Sequence, residues 1–302
     1  MRPRVSIGIP VYNGGELFRE TLDSFLGQTF ADFEVVIVDN ASTDETERIS
    51  REYTARDGRV RYIRNATNIG LSKNHNRAFE LSCGEFFKWA PADDLCCPTY
   101  LERCVEVLDR YPDVVLAYPK TRFIDRDRQT LDVEDPGWHL VSDSVTERLR
   151  YVLTHGHWAN SVTGLTRRTA LERTRLMGDY PGGDYRVLAE LSLMGKLFEI
   201  PDYLFVRRLH DRSSSQHTYD PGWQAAYWAR KKEKMPWPFL QKYSDYLLIV
   251  MHSGVSGTSK VSLLGSLLQS AVAGRRMFYR ELQAHLHLLL GQGAEPAAPG
   301  QA

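Results

Sequence analysis

The first 118 residues alternate between short β-branched apolar runs and stretches with apolar residues at helical spacing, and few folds accept that rhythm. Residues 4–10 form an apolar run ended by Pro10, and Leu17, Leu22, Phe25 and Leu26 then recur at helical spacing within Glu16 to Leu26. Residues 34–38 make a second strand. Asn40-Ala41-Ser42-Thr43-Asp44 supplies turn residues and an N-cap, with Glu45 and Glu47 near the helix start. Val60 to Ile63 reads as a third strand, Asn68-Ile69-Gly70 as a turn and Leu71 to Leu81 as a helix. Glu85 to Ala90 is a fourth strand, Pro98 opens a helix to Leu108, and Val114 to Ala117 is a fifth strand. The expected fold class is α/β: a Rossmann-like, mostly parallel sheet flanked by helices, with right-handed crossovers.

Carboxylates stand where these strands end. Asp39 closes Glu34 to Val38, Asp93 and Asp94 follow Glu85 to Ala90, and Asp184 sits in Pro181-Gly182-Gly183-Asp184-Tyr185 ahead of a helical pattern. Open α/β sheets bind ligands outside the carboxyl ends of their strands. Acids there suit a metal and a polar, phosphate-bearing ligand better than an apolar one. A dinucleotide-binding domain is the plain alternative. Its glycine fingerprint is replaced here by Pro10-Val11-Tyr12-Asn13-Gly14-Gly15, which argues against NAD or FAD.

Beyond residue 118, Asp125-Arg126-Asp127-Arg128 and Asp132 to Gly137 read as exposed loop or hairpin, and Val145 to Thr154 as a helix. Ser161 to Leu165 is expected as a short strand and Arg168 to Thr174 as a short helix. Tyr185 to Met194 is helical and stops at Gly195. Leu197 to Ile200 and Tyr203 to Arg207 are expected as strands on either side of Pro201. From Asp220 the texture changes. Trp223, Tyr227 and Trp228 share an expected helix with Arg230-Lys231-Lys232, and Phe239 to Val250 and Val261 to Leu290 are helical.

Lysine plus arginine and aspartate plus glutamate both number 38, so overall charge gives no reason to expect nucleic acid as a partner. No run offers the roughly 18 apolar residues that span a bilayer. The first strand starts almost at the N-terminus, which leaves no room for a leader. Cys83, Cys96, Cys97 and Cys104 lack a disulfide framework and read as reduced thiols. Together these features lead us to expect a cytoplasmic protein, with peripheral contact at the inner membrane face left open.

At this point the chain resembles glycosyltransferase family 2. Val5-Ser6-Ile7-Gly8-Ile9-Pro10-Val11-Tyr12-Asn13 is similar to that family's opening strand and turn. Val38-Asp39-Asn40-Ala41-Ser42-Thr43-Asp44 is similar to its second signature, and Asn68-Ile69-Gly70-Leu71 with Asn76 to its third. Ala92-Asp93-Asp94 resembles the metal motif, and Asp184, Leu204 and Arg208-Leu209-His210 the later half. The order and spacing of these motifs across residues 4–216 carry the resemblance.

The resemblance implies a GT-A fold and an inverting, metal-dependent transfer of a sugar from a nucleoside diphosphate, most simply UDP, to a hydroxyl of a glycan or lipid-linked saccharide in cell-surface polysaccharide or glycoconjugate synthesis. It implies a nucleotide-sugar site of Pro10, Val11, Tyr12, Asn13, Asp39, Asn68, Gly70, Asn76, Asp93 and Arg208. Within it, Pro10, Val11 and Tyr12 would wall the base, Asp39 accept the uracil imide N–H, and Asp93 face the ribose. Asp94 and His210 would hold Mn²⁺ or Mg²⁺, Arg208 or Arg212 phosphate oxygens, and Asp184 would act as base. Each residue also has a plainer reading. Asp39 can cap a turn, Asp93 and Asp94 can be an exposed acidic turn, His210 can be a surface histidine, and Asp184 can be an N-cap.

The chain departs from the family where Pro91 replaces an acid common in relatives, and where Asn74 and His75 precede Asn76. Lys73 or Lys88 is a further candidate for phosphate. The expected division is a catalytic domain over 1–216, a helical extension over 217–290 and a disordered tail over 291–302. Within the catalytic domain, 1–118 is the nucleotide half and 119–216 the acceptor half. The extension carries an apolar stripe of Val261, Leu264, Leu267, Leu268 and Val272, followed by Arg275, Arg276 and Arg280. It is expected to pack on the catalytic domain, while an acceptor wall, a homo-oligomer interface and an anionic lipid contact stay open. Two rivals share the pattern: a sugar nucleotidyltransferase, and a non-catalytic nucleotide-sugar or glycan-binding module.

Overall fold

The computed structural model describes residues 2–155, 159–210 and 237–289. The expected helix around Trp223 to Lys232, and Arg212 with its loop, lie outside the described residues. In chain order the elements are β1 (Val5–Val11), α1 (Leu17–Leu26), β2 (Phe33–Asp39), α2 (Thr46–Arg56), β3 (Val60–Arg64), α3 (Leu71–Glu80), β4 (Phe86–Trp89), β5 (Leu95–Cys96), α4 (Tyr100–Arg110), β6 (Val114–Ile124) and α5 (Val145–Thr154). A 3₁₀ turn (Asn160–Thr163), β7 (Leu165–Arg167), α6 (Arg168–Leu171), α7 (Asp184–Met194), β8 (Lys196–Arg208), α8 (Pro238–His252), α9 (Gly257–Ala273) and α10 (Arg275–Leu289) follow.

The strands form one sheet in the order β3-β2-β1-β4-β7-β6-β8-β5. β1 to β4 pair in parallel, with Val11 opposite Asp39 and Asp39 opposite Arg64, so their carboxyl ends share one edge. β6 and β8 are parallel to each other, and β7 and β5 run against their neighbours. The two-residue β5 was not anticipated, and it matters for the site. It pairs Leu95 with Val206 and so draws Asp94 to the end of β8. β8 is a single strand where two were expected. Its register with β6 jumps from Ile200 to Tyr203, bulging out Pro201, which has no N–H for the ladder. The strand expected at Ser161 is displaced to β7, and the long C-terminal helix breaks at Gly274.

Apolar side chains fill both faces of the sheet. On one face Ile7, Ile9, Val35 and Ile37 pack with Phe18, Leu22, Ile49 and Leu101 from the helices. On the other, Phe87, Trp89 and Leu116 pack with α5 and α7 through Leu149, Val152 and Leu188. Tyr246, Ile249 and Val250 of α8 and Leu263 and Leu267 of α9 belong to that same cluster. The C-terminal helices therefore share a core with the helices that carry Asp184. Asp245 of α8 fastens this contact, accepting from Tyr180 Oη at 2.6 Å and from Arg175 Nη1 at 2.8 Å.

Lys88 is fully buried in β4, with Nζ 3.1 Å from Tyr100 Oη and a further bond to the Thr163 carbonyl. Burial lowers its pKa, and the rings of Phe25, Tyr100 and Phe205 surround the ammonium. It is a core strut and cannot reach a phosphate. Lys73, the other candidate, is exposed and pairs with Asp179 at 3.7 Å.

Glu281 of α10 accepts from Phe239 N through Oε1 at 2.8 Å, while Oε2 is buried without a partner among the described residues. Burial pushes this carboxyl up to about 7. A folded pKa above the unfolded one favours the folded state at low pH, and that benefit is lost as pH rises through the folded value. Between about pH 5 and pH 8 the parent should lose on the order of 1 kcal/mol that Glu281→Gln keeps. Thermal unfolding of the two proteins across that range measures the difference. Parallel curves would remove the assignment.

Candidate active site

The turns after β1 and β2 are pinned to each other. Asn13 N donates to Ser42 Oγ and Gly14 N to Thr46 Oγ1, both at 2.9 Å, and Thr43 N donates to Asn13 Oδ1 at 2.8 Å. Asn13 and Ala41 hold φ of 53° and 62°, a left-handed conformation that costs a non-glycine residue about 1–2 kcal/mol. Pro10 and Val11 are buried strand residues, so they offer no open wall. Of the three expected there, only Tyr12 stands exposed.

Asp39 is fully buried at the end of β2. Its Oδ1 accepts from Ser42 N at 2.8 Å, its Oδ2 from Tyr62 Oη at 2.7 Å, and Arg64 Nε lies 3.4 Å from Oδ2. It thus does fasten its own turn. Neither Ser42 nor Thr43 is the N-cap of α2, which is Glu45; Asp44, one residue earlier, accepts from Thr46 N at 3.0 Å. A carboxylate oxygen has two acceptor sites, so Oδ1, with one protein bond, keeps a second, while the side chain as a whole is closed to solvent.

Asparagines shape the next turn. Asn40 Oδ1 accepts from Ile69 N at 2.8 Å and from Asn65 Nδ2 at 3.0 Å, and Asn74 Nδ2 donates to Val38 O at 2.8 Å. Asn68 Oδ1 accepts from Gly70 N at 3.2 Å and also from Asn40 Nδ2. Gly70 has φ of 97°, open to glycine alone without strain. Asn76 is turned elsewhere. Its amide exchanges bonds with Met177 N and O at 3.0 and 3.1 Å, tying α3 to the segment before α7. His75 is neutral, with burial lowering its pKa to about 4, and its carbonyl accepts from Trp89 Nε1 at 2.8 Å. The Asn74-His75 departure thus belongs with the Lys88-Trp89 pair of β4.

The two acids after β4 divide differently from expectation. His210 Nε2 lies 3.0 Å from Asp93 Oδ2, so the histidine meets Asp93 rather than Asp94. Asp94 is buried beneath, its Oδ1 accepting from Arg208 N at 2.8 Å. Burial and then the Asp93 charge push its carboxyl above the ordinary range. Arg208 is not an open phosphate fork either. It is buried, with Nη2 2.6 Å from Glu20 Oε2 and Nε 3.2 Å from Asp93 O. Among the described residues no three His, Cys, Asp or Glu side chains converge as a metal cage. Asp93 and His210 fit a divalent cation that takes its other ligands from water and phosphate oxygens. An imidazole in the set suits Mn²⁺ better than Mg²⁺.

Asp184 is the first residue of α7, and Gly183 is the cap, so the expected N-cap role is not filled by its side chain. Its Oδ1 accepts from Tyr185 N at 3.0 Å. Burial raises its pKa, while Lys242 and Arg207 act to lower it. Gly183 makes no space for a ligand; a Cβ there would lie 2.2 Å from Gly178 O.

Two cations were missed in the sequence. Arg207 donates through Nη1 to Asn160 Oδ1, and its charge lowers the pKa of both Asp94 and Asp184. Lys242 of α8 has Nζ 4.3 Å from the Tyr185 ring centre and 5.5 Å from that of Tyr246, and burial lowers its pKa to about 8. Strand alternation could have suggested Arg207 as the neighbour facing away from Arg208. Nothing in the pattern of α8 marked Lys242.

Comparison with known proteins identifies the family and the fold. The profile of Glycosyl transferase family 2 matches residues 6–174, more than half of the 302 residues. An uncharacterized glycosyltransferase of Haemophilus influenzae is 26% identical over 225 residues, 70% of this chain and 68% of its own. Chondroitin synthase of Escherichia coli is 36% identical over 213 residues, which are 70% of this chain but only 30% of that one. Among solved structures, S. aureus TarS 1-349 in complex with UDP-GlcNAc is similar with a TM-score of 0.69 at 18% identity, over 90% of this chain and 73% of that one. Mannosyltransferase PcManGT from Pyrobaculum calidifontis, in complex with GDP-Man and Mn²⁺, gives a TM-score of 0.55 at 19% identity, over 97% and 89%. The chain belongs to glycosyltransferase family 2 and is a glycosyltransferase with the GT-A fold.

Proposed function

We propose that this protein is a metal-dependent, inverting glycosyltransferase that moves a sugar from a UDP-sugar to a hydroxyl of a glycan or lipid-linked saccharide. The observation that carries the reading is the Asp93–His210 pair at 3.0 Å at the end of β8, with a buried aspartate, Asp184, at the head of α7 as base candidate. The UDP-GlcNAc held by TarS supports the donor, and the E. coli chondroitin synthase relative supports a glycan product. Tyr12 and Asp39 would receive the base, Asp39 through the remaining acceptor site of Oδ1. Asn13, Asn68 and Gly70 shape the turns around it.

Asp93 and His210 would hold the cation, which would neutralise charge on the departing diphosphate. Asp184 takes the proton of the acceptor hydroxyl. The freed oxygen bonds to the anomeric carbon from the side opposite the leaving group, and the diphosphate departs with the electron pair of the broken C–O bond. Burial that raises the Asp184 pKa makes it a stronger base than an ordinary aspartate. Backbone hydrogen bonds, Lys242 and Arg207 oppose that rise.

Calorimetric titration of UDP with and without Mn²⁺ tests the donor site. Asp93→Ala and His210→Ala should each weaken the metal-dependent binding at least about ten-fold, while Asp94→Asn, which keeps an acceptor for Arg208 N, should retain it. Loss in Asp94→Asn with retention in Asp93→Ala would restore the opposite division of roles.

Asp184→Asn should lower kcat by about 10²- to 10⁴-fold and leave UDP affinity unchanged. Full turnover in the folded variant would remove the base. Lys242→Met removes a charge that lowers the Asp184 pKa, so the acid limb of kcat/KM should move to higher pH. An unmoved limb would place Lys242 outside the site.

A further inference from the structure

The three C-terminal helices each bury one side and leave the other apolar. Among the described residues, every exposed large apolar side chain except Tyr12, Tyr111 and Tyr203 lies on α8, α9 or α10. On α8 these are Leu240, Leu247, Leu248 and Met251, spaced for one helix face, while Lys242, Asp245, Tyr246 and Ile249 point the other way into the protein. On α9 they are Val261, Leu268 and Val272, opposite the buried Leu263 and Leu267. Tyr279 and Leu286 continue the pattern on α10. Exposure reaches 71% at Val261 and 66% at Leu268, far beyond a core residue at the rim.

Charge on these helices is one-sided. Over the described residues 237–289 the acids are Asp245 and Glu281, and both are buried. Asp245 is held by Tyr180 and Arg175, and Glu281 by Phe239 N. The exposed charges are Arg275, Arg276 and Arg280, at the junction of α9 with α10 and beside Tyr279. A chain with equal numbers of acidic and basic residues thus presents here, among the described residues, a surface whose exposed charges are all cationic. None of the described helices is long and apolar enough to cross a membrane.

We propose that the outward side of α8, α9 and α10 docks on an anionic lipid surface, with the apolar stripes seated in the acyl boundary and Arg275, Arg276 and Arg280 among the headgroups. Charge selects this occupant. Apolar stripes alone would serve a second copy equally well, but two such faces brought together would set arginines against arginines with no exposed carboxylate between them. A leaflet with anionic headgroups offers both the apolar phase and the counter-charge.

The test is co-sedimentation of the full chain with vesicles of phosphatidylcholine alone and of phosphatidylcholine mixed with phosphatidylglycerol, without donor or metal. It is therefore read separately from transfer activity. Binding to the anionic vesicles only, weakened by salt, is expected. The triple substitution R275Q/R276Q/R280Q should weaken it on the order of a hundred-fold. L247S/L248S/M251S should weaken it as well, while unchanged thermal unfolding shows that the exposed positions leave the fold intact. Failure of the folded parent to bind anionic vesicles overturns the proposal, as does equal binding to neutral ones. A concentration-dependent dimer in lipid-free solution that L268S/V272S abolishes would also overturn it, giving the face to a second copy. Should a variant fail to fold, the comparison of vesicle compositions still decides the matter.

Discussion

The geometry of the site depends on one buried cation. Arg208 ends β8, and three of its bonds fix two separate pieces of chain. Its guanidinium reaches Glu20 on α1 and the Asp93 carbonyl after β4, and its N–H reaches the Asp94 carboxylate. Arg208 is buried while Glu20 is part-exposed, so losing this partner costs up to about 3–5 kcal/mol, the figure for a fully buried pair. With Arg208 held, His210 two residues on has little choice of position, and it meets Asp93. The metal-binding candidate is thus set by a contact between the end of β8 and the segment joining β4 to β5, and not by the acid motif alone. Asp94 contributes from beneath, as the acceptor that keeps β8 close.

Sequence reasoning reached the frame of this arrangement because its signals are local. β1 to β4 are short β-branched runs, and each ends in turn residues whose chemistry is visible without a partner. Asp39 and Asp184 could be placed at element ends for the same reason. What failed needed register. Arg207 and Arg208 are adjacent on a strand, so they face opposite ways, and only the pairing of β8 with β6 and β5 decides which one is buried. The same pairing decides which acid meets His210. A two-residue strand such as β5 has no period to detect. The environment of Gly183 is equally non-local, since its neighbour is the backbone of Gly178. Asn76 carries a family signature, yet its bonds go to Met177, about a hundred positions along the chain.

Lys88 shows how a motif can be recognised and its physics misjudged. A lysine at the end of a strand facing a diphosphate is chemically reasonable. In the fold the side chain alternates inward, where Tyr100 and the Thr163 carbonyl take its donors and aromatic rings line the rest. The ammonium then braces β4 against the 3₁₀ turn, which lies next to β7 in the chain. Buried polar groups of this kind demand full satisfaction, so the position is fixed by packing rather than by a ligand.

α8 is where the base candidate and the outer surface come closest. Lys242 sits on the side of the helix that faces Tyr185 and influences Asp184, and Asp245 one turn later ties the same side to Tyr180 and Arg175. Leu240, Leu247, Leu248 and Met251 occupy the opposite side. An α-helix with its side chains is about 10–12 Å across, so a single helix separates the apolar surface from the Asp184 end of α7. If that surface lies on lipid, Asp184 is held at a short, fixed height above the headgroups. A saccharide anchored in the same leaflet then need extend only about one helix diameter to present its hydroxyl. Orientation and height are both fixed before the acceptor arrives, and such pre-positioning removes part of the entropic cost of bringing two reactants together. On that docking, the location of the proposed base would favour an acceptor anchored in the same leaflet.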